Sequence, residues 1–304
     1  MREIAAMTKR NLLVYFRNRS TVFFSVLSAL ILLGIMVIFL GSSTGSDLTD
    51  VLNKYGKNRD AAADAQNAAQ LIRLWILGGM LGVNSVTVSL TSIGAMVQDE
   101  ECGRLTAFYA APVRRLYLTL GYIFSAWVCG MLICLVTLGA GELFFVLKGF
   151  PAFDLQTNLK LTGILMLNVF VFSAIGYLAA LFIHSAGAWS GMLTVIGTLV
   201  GFAGGTYIPV GSMSAGLQAV LKCLPVLHGT AMLRRVCTDA AAKALFDGLP
   251  DAVLPVFQEE MGIVLKQGTA EISAGSQAGF LLLWAAAAIA AAAVIGRKRK
   301  TKDR

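Results

Sequence analysis

Asp99, Glu100 and Glu101 are three acids in a row, followed by Arg104, Arg114 and Arg115, in the one polar break between long apolar runs. No histidine stands beside them, and no serine–histidine–aspartate set can be drawn from the apolar runs. Nucleophilic and general acid–base catalysis are therefore not expected there. Charges of both signs on one short element are suited instead to pairing with another protein. The spacing predicts a helix: Leu105, Phe108, Tyr109 and Pro112 fall at i, i+3, i+4 and i+7, one apolar stripe. The acids open that helix, where carboxylates meet the positive end of its dipole. Glu100 stands i, i+4 from Arg104 in the favourable order. Pro112 forces Ala111 out of helical geometry and ends the helix. Residues 98–117 are thus a candidate docking element, and the plainer alternative is a surface helix lying among lipid headgroups.

Few other residues offer chemistry. Glu142 is the only carboxylate within an apolar run, either an intramembrane polar site or a side chain reaching water near the end of its span. His184 and His228 stand alone and read as structural. Cys102, Cys129, Cys134, Cys223 and Cys237 include no C-x-x-C pair, so no metal site is expected. Cys223 and Cys237 read either as a bonded pair or as isolated thiols. The pair Gly56-Lys57 is followed by Asn58 and has Val51 where a phosphate loop needs glycine, so no nucleotide site is expected.

The elements that must position these residues are membrane helices. The chain's 304 residues are 57% hydrophobic and 14% charged, with a mean hydropathy of +0.72; a soluble domain carries about 25% charge. The net charge of +8 sits at span ends rather than on a basic face, so orientation in a bilayer accounts for it and nucleic acid does not. The expected fold is an all-α polytopic membrane protein, one transmembrane domain over residues 1–304. In residues 1–19, Ile4, Ala5, Thr8, Leu12, Tyr15 and Phe16 fall on one side of a helix and Arg2, Lys9, Arg10 and Arg17 on the other. That is the pattern of a helix lying in the membrane interface.

Six spans are expected, at Val22–Leu40, Leu74–Val97, Leu118–Leu147, Leu161–Ile183, Trp189–Tyr207 and Ala278–Ile295. Residues 41–73 read as a polar loop. The third run exceeds the roughly 20 residues a bilayer needs, which implies tilt or a break at Gly139–Glu142. The fifth span carries Gly187, Gly191, Gly197, Gly201 and Gly205. Small residues so spaced suit close packing against a second subunit, or against a helix of the same bundle. Residues 209–277 read as an extracytoplasmic helical segment in which Leu217–Leu227 re-enters the bilayer edge. Residues 297–304 read as a basic cytoplasmic tail. Six spans put both termini on one side, and the lysines and arginines near span ends assign that side to the cytoplasm.

Over nearly its whole length the chain resembles the membrane (permease) subunits of type-2 ABC exporters, the family of bacterial drug, bacteriocin and polymer exporters. Glu101, Gly103, Leu105, Pro112, Val113 and Arg114 match that family's acidic-Gly-Thr-Leu-Glu…Leu…Pro-Val-Ser/Arg-Arg stretch. Here Gly103-Arg-Leu-Thr106 replaces Gly-Thr-Leu-Glu, so the last acid is missing. The resemblance implies a half-transporter in the bacterial cytoplasmic membrane whose motor is a separate ABC ATPase subunit, docked on residues 98–115 at the cytoplasmic face. ATP and Mg would sit on that partner, with no cofactor bound by this chain. A second permease copy, identical or sister, would complete a path whose apolar lining suits amphiphilic or hydrophobic cargo. The alternative is an autonomous secondary transporter or channel, which needs intramembrane ionisable groups, and only Glu142 qualifies.

Overall fold

The computed structural model describes residues 2–27, 30, 31, 34, 35, 48, 60–110, 115–268 and 270–298. In chain order these form α1 (Arg2–Arg17), α2 (Ala61–Glu101), α3 (Arg104–Ala110), α4 (Arg115–Leu147), α5 (Leu155–Ala180) and α6 (Ala186–Ala203). There follow a 3-10 turn (Val210–Ser212), α7 (Ala215–Lys222), α8 (Pro225–Leu245), α9 (Val253–Glu260), a two-residue hairpin of β1 (Lys266–Gln267) and β2 (Ala270–Glu271), and α10 (Ala274–Lys298). Among the described residues, α2, α4, α5, α6 and α10 are long and apolar enough to cross a membrane. A sixth crossing is counted if α7 and α8, bent by 91° at their junction, form one broken span. The all-α polytopic fold stands, with the small hairpin as its only departure among the described residues. Of the expected first span, Val22–Leu40, residues 22–27, 30, 31, 34 and 35 are described and helical, and the others lie outside the described residues.

The bundle is built around α2. In its most apolar stretch 89% is buried inside the chain, against 17% for α6 and 22% for α10. Helices α4, α5, α6 and α8 all pack on it. Asp60 caps its start, accepting from the Ala62 backbone N–H at 2.9 Å. Residues 61–73 are therefore the opening turns of α2 rather than part of a loop, because Ala68, Leu71 and Ile72 are buried in the core. Likewise α4 runs unbroken past Gly139–Glu142. Gly141 there lets Leu77 of α2 approach, so it serves packing and not a kink.

Helix α8 crosses α2 at Gly78 and Gly82. A Cβ on Gly78 would stand 2.8 Å from the Arg234 Cα, and one on Gly82 would overlap the Thr230 hydroxyl. This is the small-xxx-small step the fold uses. Residues 209–277 are thus not all peripheral, since α8 lies against the central helix, with His228, Thr230, Leu233, Arg234 and Cys237 buried. Polar side chains join neighbouring helices. Asn84 Nδ2 donates to Thr137 Oγ1 at 2.9 Å, the Thr119 and Tyr177 hydroxyls lie 3.0 Å apart, and Asn168 Nδ2 donates to the Gly229 carbonyl at 3.3 Å.

Candidate functional site

The acids at 99–101 end a long helix and do not open a short one. Helix α2 continues through them, and the Cys102 N–H bonds the Gln98 carbonyl at 3.0 Å. Gly103 then turns the chain with φ +72°, a left-handed conformation that glycine adopts without a Cβ penalty. Helix α3 follows at once, from Arg104 to Ala110. The last apolar residue of α2 is Val97, where the expected span ends, so Gln98, Asp99, Glu100 and Glu101 continue the helix without apolar side chains of their own.

Asp99 is the centre of the arrangement and is only 2% exposed. Its carboxylate accepts two hydrogen bonds from the Arg10 guanidinium of α1, the second from Nη2 at 2.7 Å. It also accepts from the Tyr122 hydroxyl of α4 at 2.7 Å and from Arg104 Nη1 of α3 at 3.2 Å. Arg104 therefore pairs with Asp99, not with Glu100 as its i, i+4 spacing suggested. Arg10 stacks over the Phe108 ring at 5.3 Å, a cation–π contact, and donates to Asn11 Oδ1 at 2.9 Å. Asn11 Nδ2 in turn donates to Ser125 of α4 at 3.1 Å. Pairing with Asp99 raises the Arg10 guanidinium above its ordinary value. One buried carboxylate thus joins α1, α2, α3 and α4.

The other predicted residues divide. Leu105 is buried and Phe108 packs into the same cluster, so the inner half of the apolar stripe is seated on the bundle. Glu101, Arg104, Thr106 and Ala107 are exposed and form an outer surface. Glu100 lies 2.7 Å from His184 Nδ1 in the turn between α5 and α6, which brings a second loop to the junction. Arg115 Nη1 donates to the Gly296 carbonyl near the end of α10 at 2.8 Å. Pro112, Val113 and Arg114 lie outside the described residues, as do residues 299–304 of the basic tail. Among the described residues the cysteines are free thiols, Cys223 exposed and Cys237 buried, so the bonded reading of that pair does not stand.

Of the glycines on α6 and the turn after it, Gly187, Gly191 and Gly197 face open space, whereas Gly201 packs on the Tyr207 ring and Gly205 on Val210. Glu142 is half-buried, and its Oε1 has no hydrogen-bond partner among the described residues. Sequence reasoning missed Arg10, Tyr122 and Arg234. Arg234 is fully buried, stacks on Trp75 at 4.2 Å and donates to the Gly205 carbonyl at 2.8 Å. Its neighbour Arg235 is exposed and pairs with Glu271 at 2.6 Å. Nothing in the Leu233-Arg-Arg235 triplet marks which arginine turns inward, although Arg234 shares a helix face with the buried Thr230 and Thr238.

A bundle of apolar helices around one central helix, with a charged junction at one end, defines the class of multi-pass helical membrane proteins. Residues 62–294 match the model of the ABC-2 family transporter proteins, and the chain belongs to that family. No curated protein matches the chain.

Proposed function

We propose that this chain is the membrane subunit of an ATP-driven exporter, and that a separate ABC ATPase grips it at the exposed surface of α3 and the end of α2. The Asp99 junction carries this reading. A push on α3 is transmitted through one buried carboxylate to α1, α2 and α4 together, which suits rigid-body rocking between inward- and outward-facing states. Nucleotide and magnesium belong to the ATPase. Both termini and the junction face the cytoplasm, a second permease copy completes the cargo path, and the open glycine face of α6 is the candidate contact for it. The few ionisable side chains in the spans favour amphiphilic or hydrophobic cargo.

Two experiments test this reading. Glu101→Lys with Ala107→Arg alters exposed positions only. ATPase recovered in a pull-down should fall about tenfold, as should permease-stimulated ATP hydrolysis, with the melting temperature unchanged. Full binding and stimulation would overturn docking at this surface. Orientation is read with single cysteines in a cysteine-free background. Asp251→Cys should react with an impermeant thiol reagent in intact cells and Glu101→Cys should not. The reverse pattern would overturn the orientation.

A further inference from the structure

Between the chain that follows α1 and the middle of α2 lies an open cleft of about 450 Å³, lined by hydroxyls of Ser20, Thr21, Ser25, Thr87 and Thr91 together with Phe24. Among the described residues no charged side chain lines it. Several of its hydroxyl protons are already committed. Ser25 Oγ donates to the Thr21 carbonyl at 2.7 Å, and Thr91 Oγ1 to the Thr87 carbonyl at 2.8 Å. Thr87 Oγ1 is shared between the carbonyls of Val83 and Asn84, at 3.3 Å to each. A hydroxyl that has donated its proton keeps acceptor lone pairs, so the α2 wall offers acceptors. Asn18, at the rim, accepts from the Thr21 N–H at 3.2 Å through Oδ1, which leaves its amide group as a donor for a ligand.

The chemistry of the walls selects the occupant. Among the described lining residues an anion finds no cation, and a quaternary ammonium finds neither a carboxylate nor a cage of aromatic rings. A hydroxyl group fits, because it donates to the threonine oxygens and accepts from an amide. Thr91 lies about 12 Å along the helix axis from Asp99, within the apolar part of α2. Phe24, 63% exposed, lines the cleft, and Phe23, 59% exposed, packs edge-on against its ring at 5.5 Å, so the two offer apolar surface that an acyl chain can cover.

We propose that this cleft binds the uncharged, hydroxyl-bearing head of a membrane-embedded amphiphile, its hydroxyls donating to Thr87 and Thr91 and its chain lying along Phe23 and Phe24. As a cargo site it rests on the transport reading; as a binding site it does not, and its assay needs no ATPase.

The test uses the full chain in nanodiscs of dioleoylphosphatidylcholine, whose headgroup carries no O–H or N–H donor. Ser20→Cys, in a background with Cys102→Ser and Cys223→Ser, reports occupancy through its rate of maleimide modification. Monooleoylglycerol should protect the thiol at about tenfold lower concentration than its dimethyl ether, the equivalent of two neutral hydrogen bonds. Thr87→Val with Thr91→Val, a near-isosteric pair, should abolish that difference. Thr194→Val with Thr198→Val, removing exposed hydroxyls on α6, should leave it intact. Equal protection by the ether, protection by free glycerol alone, or retention of the difference in the Thr87/Thr91 variant would each overturn the proposal. Failure here removes the cleft as a site and leaves export by the bundle standing.

Discussion

Asp99→Ala should lower the stability of the chain by about 3 kcal/mol, because it opens a void and, among the described residues, leaves the Tyr122 hydroxyl without its acceptor and the Arg10 guanidinium with the Asn11 oxygen alone. The figure is taken from the lower end of the range for a broken buried pair, since the Arg10 side chain is 30% exposed and regains some hydration. Asp99→Asn should cost less, keeping the shape and one oxygen acceptor while losing the charge. Asp99→Leu combined with Arg10→Met should recover most of the loss, as apolar pairs of similar volume often replace ion pairs without penalty. The readout is the thermal midpoint in nanodiscs, paired with permease-stimulated ATP hydrolysis. Stability should return in the double variant while stimulation stays low, because Arg104 of α3 and Tyr122 of α4 no longer share an acceptor. An unchanged midpoint for Asp99→Ala would remove the junction as a structural tie.

Arg234→Ala should be comparably damaging for a different reason. Gly78 admits the Arg234 backbone and Cγ, and the guanidinium fills a socket shaped by Gly79, Gly205 and Gly262, with the Trp75 ring across its face. Truncation opens a cavity and strands the Gly205 carbonyl, a change that costs about 3–5 kcal/mol for a large buried side chain. Among the described residues Arg234 has no carboxylate partner, and its Nε and Nη1 make no hydrogen bond. Its charge is therefore costly to bury and only partly compensated. Arg234→Met keeps most of the volume but donates no hydrogen bond to the Gly205 carbonyl, so it should lose less than the alanine variant, about 1–3 kcal/mol. Equal loss in both variants would show that the cation, not the filled volume, holds α8 against α2. The midpoint of thermal unfolding distinguishes the two, with proteolysis of α8 as a local readout.

The glycines show where local sequence misleads. Gly187, Gly191 and Gly197 have helical spacing on a peripheral helix, and a Cβ on any of them would meet nothing among the described residues, whereas Gly78 and Gly82 carry the central crossing. Spacing reveals that a helix has a flat side. It does not reveal which neighbour arrives there, because that depends on the topology of several helices together. The same holds for Gly139–Glu142, where excess length suggested a break and the packing of Leu77 kept α4 continuous.

Hydropathy and charge alone determined a multi-pass helical membrane chain, an amphipathic first helix and a polar junction near residue 100. Desolvating apolar side chains is a sum over composition and short-range periodicity, so it can be read along the chain. The matching stretch from Glu101 to Arg114 added the family. Only the tertiary structure decided that Asp99 turns inward to Arg10, a residue far away in sequence that its own helix places among the solvent-facing bases. Only it decided that Glu101 stays outside and that Arg234, not Arg235, is buried. A buried charge is tolerated where specific donors and acceptors converge on it, and that convergence exists only once the helices are assembled.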